Sequence, residues 1–417
     1  MNEPKDTRVI RTVAIIGASL AGARAAETLR ARGFDGRVLL IGEEPWLPYQ
    51  RPPLSKDYLW PGGDESAILL RPADWYEANR IEARLGVKAE SLDLRAREVR
   101  LSDGSDVQAD AFLLATGSRP RRLPALEGAA NVHYLRTRDD AARLAGALTP
   151  GARILVVGMG VIGAEVAATA TRAGARVVAV EPAPTPMLRS FGSVAGAWLA
   201  RAHAERGVEA HFGRMPERFE REGGLVRGVT LDGGERLDCD AVVVGIGVEP
   251  ADELAREAGL DVDNGILVDR RSATSCPFVY AAGDVANQPG FFGGRARLET
   301  FHNAAAQAEA AAAAMLGEDV DACQPCSFWS DQYDFNIQSA GRVRDECRAV
   351  VRGSVSDGDF TLFYLADDLL EGVVTVNRPA DMAVAKRMIP ARRAFDPAAL
   401  ADSSVPLRSL LAKPASS

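Results

Sequence analysis

The chain has 417 residues, with 49 Lys and Arg against 57 Asp and Glu, a net charge of −8. That balance argues against a general nucleic-acid binder, which needs a basic face to neutralise phosphate. With 47% hydrophobic and 25% charged residues the composition is that of a globular chain, no run reaches the ~18 apolar residues of a membrane span, and the length suits about two to three domains.

The opening MNEPKDTRVIRT is charged and is not expected to be a signal peptide. Five scattered cysteines, an odd number, do not make a disulfide scaffold, so a reducing cytoplasm is the expected location.

Residues 12–43 read TVAIIGASLAGARAAETLRARGFDGRVLLIGE, and residues 153–181 read RILVVGMGVIGAEVAATATRAGARVVAVE. Each is an apolar strand, a glycine turn, an alanine-rich helix pattern, a second apolar strand and an acid. Gly17 precedes Glu43 by 26 residues, and Gly158 precedes Glu181 by 23. The first glycine of such a turn leaves the strand tightly, the second lets backbone approach a pyrophosphate, and the third packs helix on strand. Helix amides then hold phosphate, and the acid accepts from ribose hydroxyls. The first copy is Gly17-Ala18-Ser19-Leu20-Ala21-Gly22, with Ser19 in the middle glycine's place; its small side chain and hydroxyl are compatible with phosphate. The second, Gly158-Met159-Gly160-Val161-Ile162-Gly163, is intact. Glu181 would repel a 2′-phosphate, and Pro182-Ala183-Pro184 supplies no arginine for one, so NADH is expected over NADPH. Arg189 is a candidate to stack on adenine or a solvated arginine.

Between and after these copies, Ala111–Gly117 and Ala241–Gly247 read as strands ending in small residues. Their ends, Ala115, Thr116 and Gly117, and Gly245, Ile246 and Gly247, are candidate cofactor contacts. Phe278–Asp284 is a further strand, and Asp284 beyond it suits either a cofactor hydroxyl or a plain cap. Asn303–Leu316 is alanine-rich and predicts a helix. Cys347–Arg352, Phe360–Ala366 and Leu370–Asn377 read as antiparallel strands, and Pro379–Ile389 as a helix.

The stretches GASLAG, PYQRPPLSKDYL, ATGSRPR, YLRTRDDA, GMGVIGAE, GIGVEP, AAGDVA, ETFHNAAAQ and FWSDQYDFNIQ run nearly end to end. On them the chain resembles the FAD-dependent, NADH-utilising ferredoxin reductases, the components that feed ferredoxin in haem monooxygenase and aromatic-ring dioxygenase systems. The resemblance implies an α/β fold. Two Rossmann-like dinucleotide-binding domains, glutathione-reductase-like, are followed by a C-terminal α+β domain. The FAD domain is split over 1–118 and 249–325, the NADH domain takes 119–248, and the last domain takes 326–417. FAD and NADH are the implied cofactors. The implied partner is an iron–sulfur ferredoxin, with no nucleic acid, no membrane, and a monomer or homodimer.

The resemblance also assigns residues. The loop Pro48–Leu59 lies along the flavin, its prolines fixing it before binding. Lys56 sits near flavin N5 and Glu165 faces the nicotinamide site, where the two can pair as the catalytic residues. Arg51 is expected to hold the FAD diphosphate or the loop, Arg136 to contact FAD, and Ala89 to meet the adenine through backbone. Phe301 stands where many relatives carry tryptophan beside the flavin. Trp329 either flanks the flavin or fills a domain junction.

Relatives that reduce disulfides carry cysteine near the flavin, whereas the first cysteine here is Cys239. Cys323-Gln324-Pro325-Cys326 follows a helix instead of preceding one and reads as a linker, not a redox pair. His133, His203, His211 and His302 form no cluster in sequence. Arg295, Arg297, Arg342, Arg344 and Arg378 are either a docking patch for an acidic ferredoxin or ordinary solvated arginines. Two other functions share this fold: an NADH oxidase or nitrite-reductase-like flavoenzyme, and an NADH-sensing redox binding protein.

Overall fold

The computed structural model describes residues 9–59 and 65–412, and the charged opening up to residue 8 lies outside them. The described chain divides into two compact units. One takes in 9–50, 65–119 and 248–326; the other takes in 51–59, 120–247 and 327–412.

The first unit is built on a five-stranded parallel sheet in the order Val279–Ala281, Ala111–Leu114, Thr12–Ile16, Arg37–Gly42, Ile81–Leu85. The four strands other than the edge strand Ile81–Leu85 are mostly apolar runs because both faces are covered. On one face the helices Leu20–Ala31 and Phe301–Met315 pack through alanines, with Ala25, Ala26, Ala308, Ala311 and Ala312 all buried. The second helix begins two residues before the expected Asn303, because the Thr300 hydroxyl accepts from Asn303 N and caps it. The other face is closed by Leu254, Leu260, Val285 and the three-stranded antiparallel sheet Ala89–Asp93, Glu98–Leu101, Asp106–Gln108.

The second unit repeats the plan. Its parallel sheet runs Glu209–Phe212, Arg176–Glu181, Arg153–Val157, Ala241–Val244, Val132–His133, with helix Val161–Arg172 crossing between its two central strands. A five-stranded antiparallel sheet follows, in the order Ser327–Gln332, Phe335–Gly341, Leu369–Val376, Asp359–Ala366, Arg348–Ser354. Helix Pro379–Met388 closes it. This α/β chain with a C-terminal α+β region is the expected fold class.

The long helix Leu188–Glu205 joins the two five-stranded sheets of this unit. It is broken at Gly192, whose φ of +74° only glycine adopts readily. Tyr364 donates to Phe191 O at 3.0 Å, Phe191 stacks on Phe328 with centroids 5.2 Å apart, and Trp198 meets Phe335 and Phe360 edge-on. The Ser193 amide and hydroxyl both donate to Asp345 Oδ1, at 2.9 and 3.0 Å. Among the described residues no helix is long and apolar enough to cross a membrane.

Candidate dinucleotide turns and a buried lysine pair

Both glycine turns have the geometry the spacing predicts. Gly17 has φ +122° and Gly158 φ +92°. Gly17 N donates to Ile41 O and Gly158 N to Val180 O, each at 2.8 Å. A Cβ added at Gly22 would lie 1.9 Å from Gly17 O, and one at Gly163 would lie 1.8 Å from Gly158 O. The third glycine of each turn is therefore required by packing of helix on strand. Gly160 is different: the nearest atom to a Cβ there is Gly245 O at 3.8 Å. A Cβ at 160 therefore meets only ordinary contact, so the space beside this amide is open.

The helix starts point the same way. Neither Ser19 nor Gly160 places a side chain on the first amides, and neither helix has an acid in its first turn. By contrast, helix Arg138–Ala145 carries a full capping box from Thr137 and Asp140 plus Asp139. Two helix N-termini whose N-cap residues give no side-chain cap suit pyrophosphate groups, and the residues present fit a dinucleotide at each turn.

Glu43 is exposed at the end of its strand. Glu181 is fixed: Oε2 accepts from Met159 N at 2.6 Å and Oε1 from Ala183 N at 2.8 Å. Leu20, Ala21, Val161 and Ile162 form the first turns of their helices, and Arg189 is exposed at the start of the long helix. Ala115 N donates to Ile16 O at 2.7 Å and Gly245 N to Val157 O at 2.8 Å, so these strand ends border the turns. Thr116 Oγ1 donates to Ala251 O, and Gly117 O accepts from Ala251 N. Ile246 is half-buried, and Gly247 O accepts from Arg121 N.

Asp284 Oδ2 accepts from Ser118 Oγ at 2.8 Å. Ala89 pairs with Leu101 at the start of its strand. Phe301 is half-buried and His302 exposed at the head of their helix, and Trp329 is half-buried on its strand opposite Gln338.

Within the second unit, Pro52–Ser55 forms a short 3₁₀ turn with prolines at its start. Arg51 donates to Arg136 O at 2.5 Å, bringing these two predicted residues together. Lys56 Nζ lies 2.7 Å from Glu165 Oε2, with only 16% of the lysine and 2% of the glutamate side chain exposed. The ammonium also donates to Pro52 O at 3.1 Å. Glu165 is the fifth residue of its helix, and its carboxylate is further held by the Ser55 and Ser330 hydroxyls. Thr169 Oγ1, one turn on, donates to Ser55 O at 2.8 Å and ties the loop to the helix.

Ser330 and the residues behind it escape a sequence reading. The available signal is that Ser330 and Gln332 alternate on one face of a strand, beside Phe328, where a core strand would be apolar.

The five arginines are engaged. Arg342 and Arg344 both pair with Glu371, Arg378 with Asp359 and Asp381. Arg297 pairs with Glu299, and Arg295 donates to Val268 O and Asn287 O. Burial pushes the Cys323 and Cys326 thiols upward, and their Sγ atoms turn to different partners, Pro289 O and Thr300 Oγ1. Burial raises Cys239 to about 11.

With paired glycine turns on two parallel sheets, the chain belongs to the pyridine nucleotide-disulphide oxidoreductase family, whose pattern matches residues 11–308; a reductase C-terminal domain matches 327–411. Within that family it is 43% identical to the ferredoxin reductase component of chlorobenzene dioxygenase from Cupriavidus sp. (strain PS12), over 96% of this chain and 97% of the relative. It is 41% identical to the ferredoxin–NAD(+) reductase subunit of the benzene 1,2-dioxygenase system of Pseudomonas putida, again over 96% and 97%. The crystal structure of the covalent putidaredoxin reductase–putidaredoxin complex matches with a TM-score of 0.93 and 37% identity, over 96% of this chain and 98% of that one.

Proposed function

We propose that the chain is an NADH-dependent FAD flavoprotein that takes a hydride from NADH and passes single electrons to an iron–sulfur ferredoxin serving a monooxygenase or dioxygenase. The observation that carries this is the end-to-end match, C-terminal reductase domain included, to proteins named as ferredoxin reductases. Bound FAD supplies the conversion of a two-electron donor into one-electron steps.

The chain's own residues do the rest. The first turn, Gly17–Gly22 with Glu43, holds the FAD nucleotide, and Asp284, Arg51, Arg136, Ala89, Ala115–Gly117, Phe301 and Trp329 complete its contacts. The second turn, Gly158–Gly163, holds the NADH pyrophosphate. Glu181 and Arg189 take the adenosine, and Gly245–Gly247 border it. Lys56, held in place by Glu165, offers a fixed cation to the negative charge that arrives with a hydride. The domains run 1–118 with 249–325, 119–248 and 326–417. With five free thiols the protein suits a reducing cytoplasm, as a monomer or homodimer.

The test is direct. The purified protein should be yellow, and its NADH-driven cytochrome c reduction should be stimulated by one candidate ferredoxin and be slow with NADPH. Rapid oxygen consumption without ferredoxin stimulation would instead indicate an oxidase.

A further inference from the structure

Behind the lysine pair, the second unit holds a line of buried polar side chains that the proposed reaction does not use. Ser330 Oγ donates to Glu165 Oε1 at 2.6 Å. Gln332 Nε2 donates to Ser330 Oγ at 3.0 Å and to Met187 Sδ at 3.2 Å. Gln332 Oε1 lies 3.0 Å from His203 Nε2, and His203 Nδ1 lies 2.8 Å from the Tyr333 hydroxyl. Ser330, Gln332 and His203 are all essentially inaccessible, at 0%, 1% and 0% exposure.

The hydrogen positions follow from the donor inventory. Glu165 as a carboxylate can only accept, so Ser330 must donate to it. Ser330 then accepts from the Gln332 amide, whose second proton meets Met187. Gln332 Oε1 therefore accepts, and His203 must carry its proton on Nε2. Its Nδ1 is left to accept from Tyr333. Every donor points the same way, from Tyr333 towards Glu165. A flipped Gln332 would set its oxygen against the Met187 sulfur and leave Ser330 without its donor. An amide does not pass a proton as readily as a hydroxyl does, so the line orients charge and does not conduct protons.

We infer that Ser330, Gln332 and His203 are positioning residues: a one-way hydrogen-bond line, anchored at Tyr333, that fixes the Glu165 carboxylate and through it the Lys56 ammonium. This rests on the role proposed above for that pair. The groups facing His203 agree with a neutral imidazole. Arg206 lies over the Tyr333 ring at 4.6 Å, and burial, with Arg206 adding to it, lowers His203 to about 4. Facing Glu165 are Lys56 and the hydroxyls of Ser55 and Ser330. Met187 also ties the line to the second glycine turn, since its amide donates to Met159 O at 2.8 Å.

Two measurements test it. With four histidines in the chain, ¹⁵N-histidine NMR on protein with and without FAD should show His203 uncharged at pH 6 with its proton on Nε2; a proton on Nδ1, or an imidazolium, overturns the line. In single turnover, Ser330→Ala should slow NADH-driven flavin bleaching about tenfold with the half-saturating NADH concentration unchanged, and Ser330→Thr should restore the rate. In a Lys56→Met background the same Ser330→Ala change should add less than about twofold, because both act through one charge. A full tenfold loss in both backgrounds, or a loss only in NADH affinity, overturns the line and leaves the proposed function standing. An unaltered rate in Lys56→Met overturns the role of the pair and the line with it. If Ser330→Ala does not fold, Gln332→Met takes its place in the same cycle, and the same rate patterns support or overturn the line.

Discussion

The two glycine turns are built alike and then put to different use two residues further on. In both, the third glycine is pressed against the carbonyl of the first, at Gly22 on Gly17 and Gly163 on Gly158. Two residues later the copies part. The first helix carries Arg24, a third exposed and paired with Glu27 on its own surface. The second carries Glu165, buried and bound to Lys56, Ser55 and Ser330. A repeated scaffold thus keeps what packing demands and leaves the next position to chemistry. An exposed pair one turn apart is worth about 0–1 kcal/mol, whereas breaking a buried one costs about 3–5 kcal/mol.

That contrast can be broken in several places. Gly163→Ala should cost more than about 3 kcal/mol, since overpacking here meets backbone that cannot yield; thermal unfolding reads it, and a folded variant of normal melting temperature would sink the packing account of the turn. Next comes acid. His203 is neutral in the fold down to about pH 4, while an unfolded imidazole takes a proton below about 6.5. Stability contributed by this residue is therefore complete above pH 6.5 and falls as pH drops towards 4, by about 3 kcal/mol in full. Denaturant melts across that range should show the slope, and His203→Gln should remove that part of it. Lys56→Met should slow NADH-driven flavin reduction about 100-fold, while Arg24→Met, its counterpart on the first copy, should leave the rate alone; equal effects would erase the distinction between the helices. Smallest is Glu181→Ala, expected to erode the preference for NADH over NADPH about tenfold, measured as the ratio of kcat/KM values.

The turns were legible because their residues are close in sequence and each glycine answers a local steric need. Pairing of Lys56 with Glu165 was legible only through the family resemblance, since 109 positions separate them. The line behind them was not. Ser330, Gln332 and His203 are ordinary polar residues brought together by a strand and a helix from distant parts of the chain, and no spacing announces that.

The arginines fail in the same way. Arg342, Arg344 and Arg378 look free in sequence, but Glu371 and Asp359 arrive on other strands of the antiparallel sheet, and only Asp381, three residues past Arg378, is near its arginine in sequence. Two small antiparallel sheets, 89–108 and 216–238, also went unread. Their alternation is short, and the Asp-Gly turns at Asp103-Gly104 and Asp232-Gly233 were the available signs.

The break at Gly192 bears on how the polypeptide can be cut. A methyl group there would come within 2.6 Å of the Tyr364 hydroxyl and 3.0 Å of Asp345, so the helix is seated in the last sheet almost without clearance. Severed ahead of Ser327, the remaining piece would expose Phe191 and Trp198 to water and lose the carboxylate that starts the helix afresh at Ser193. Residues 327–412 are thus less an appendage than a wall of the compact unit that carries the second glycine turn.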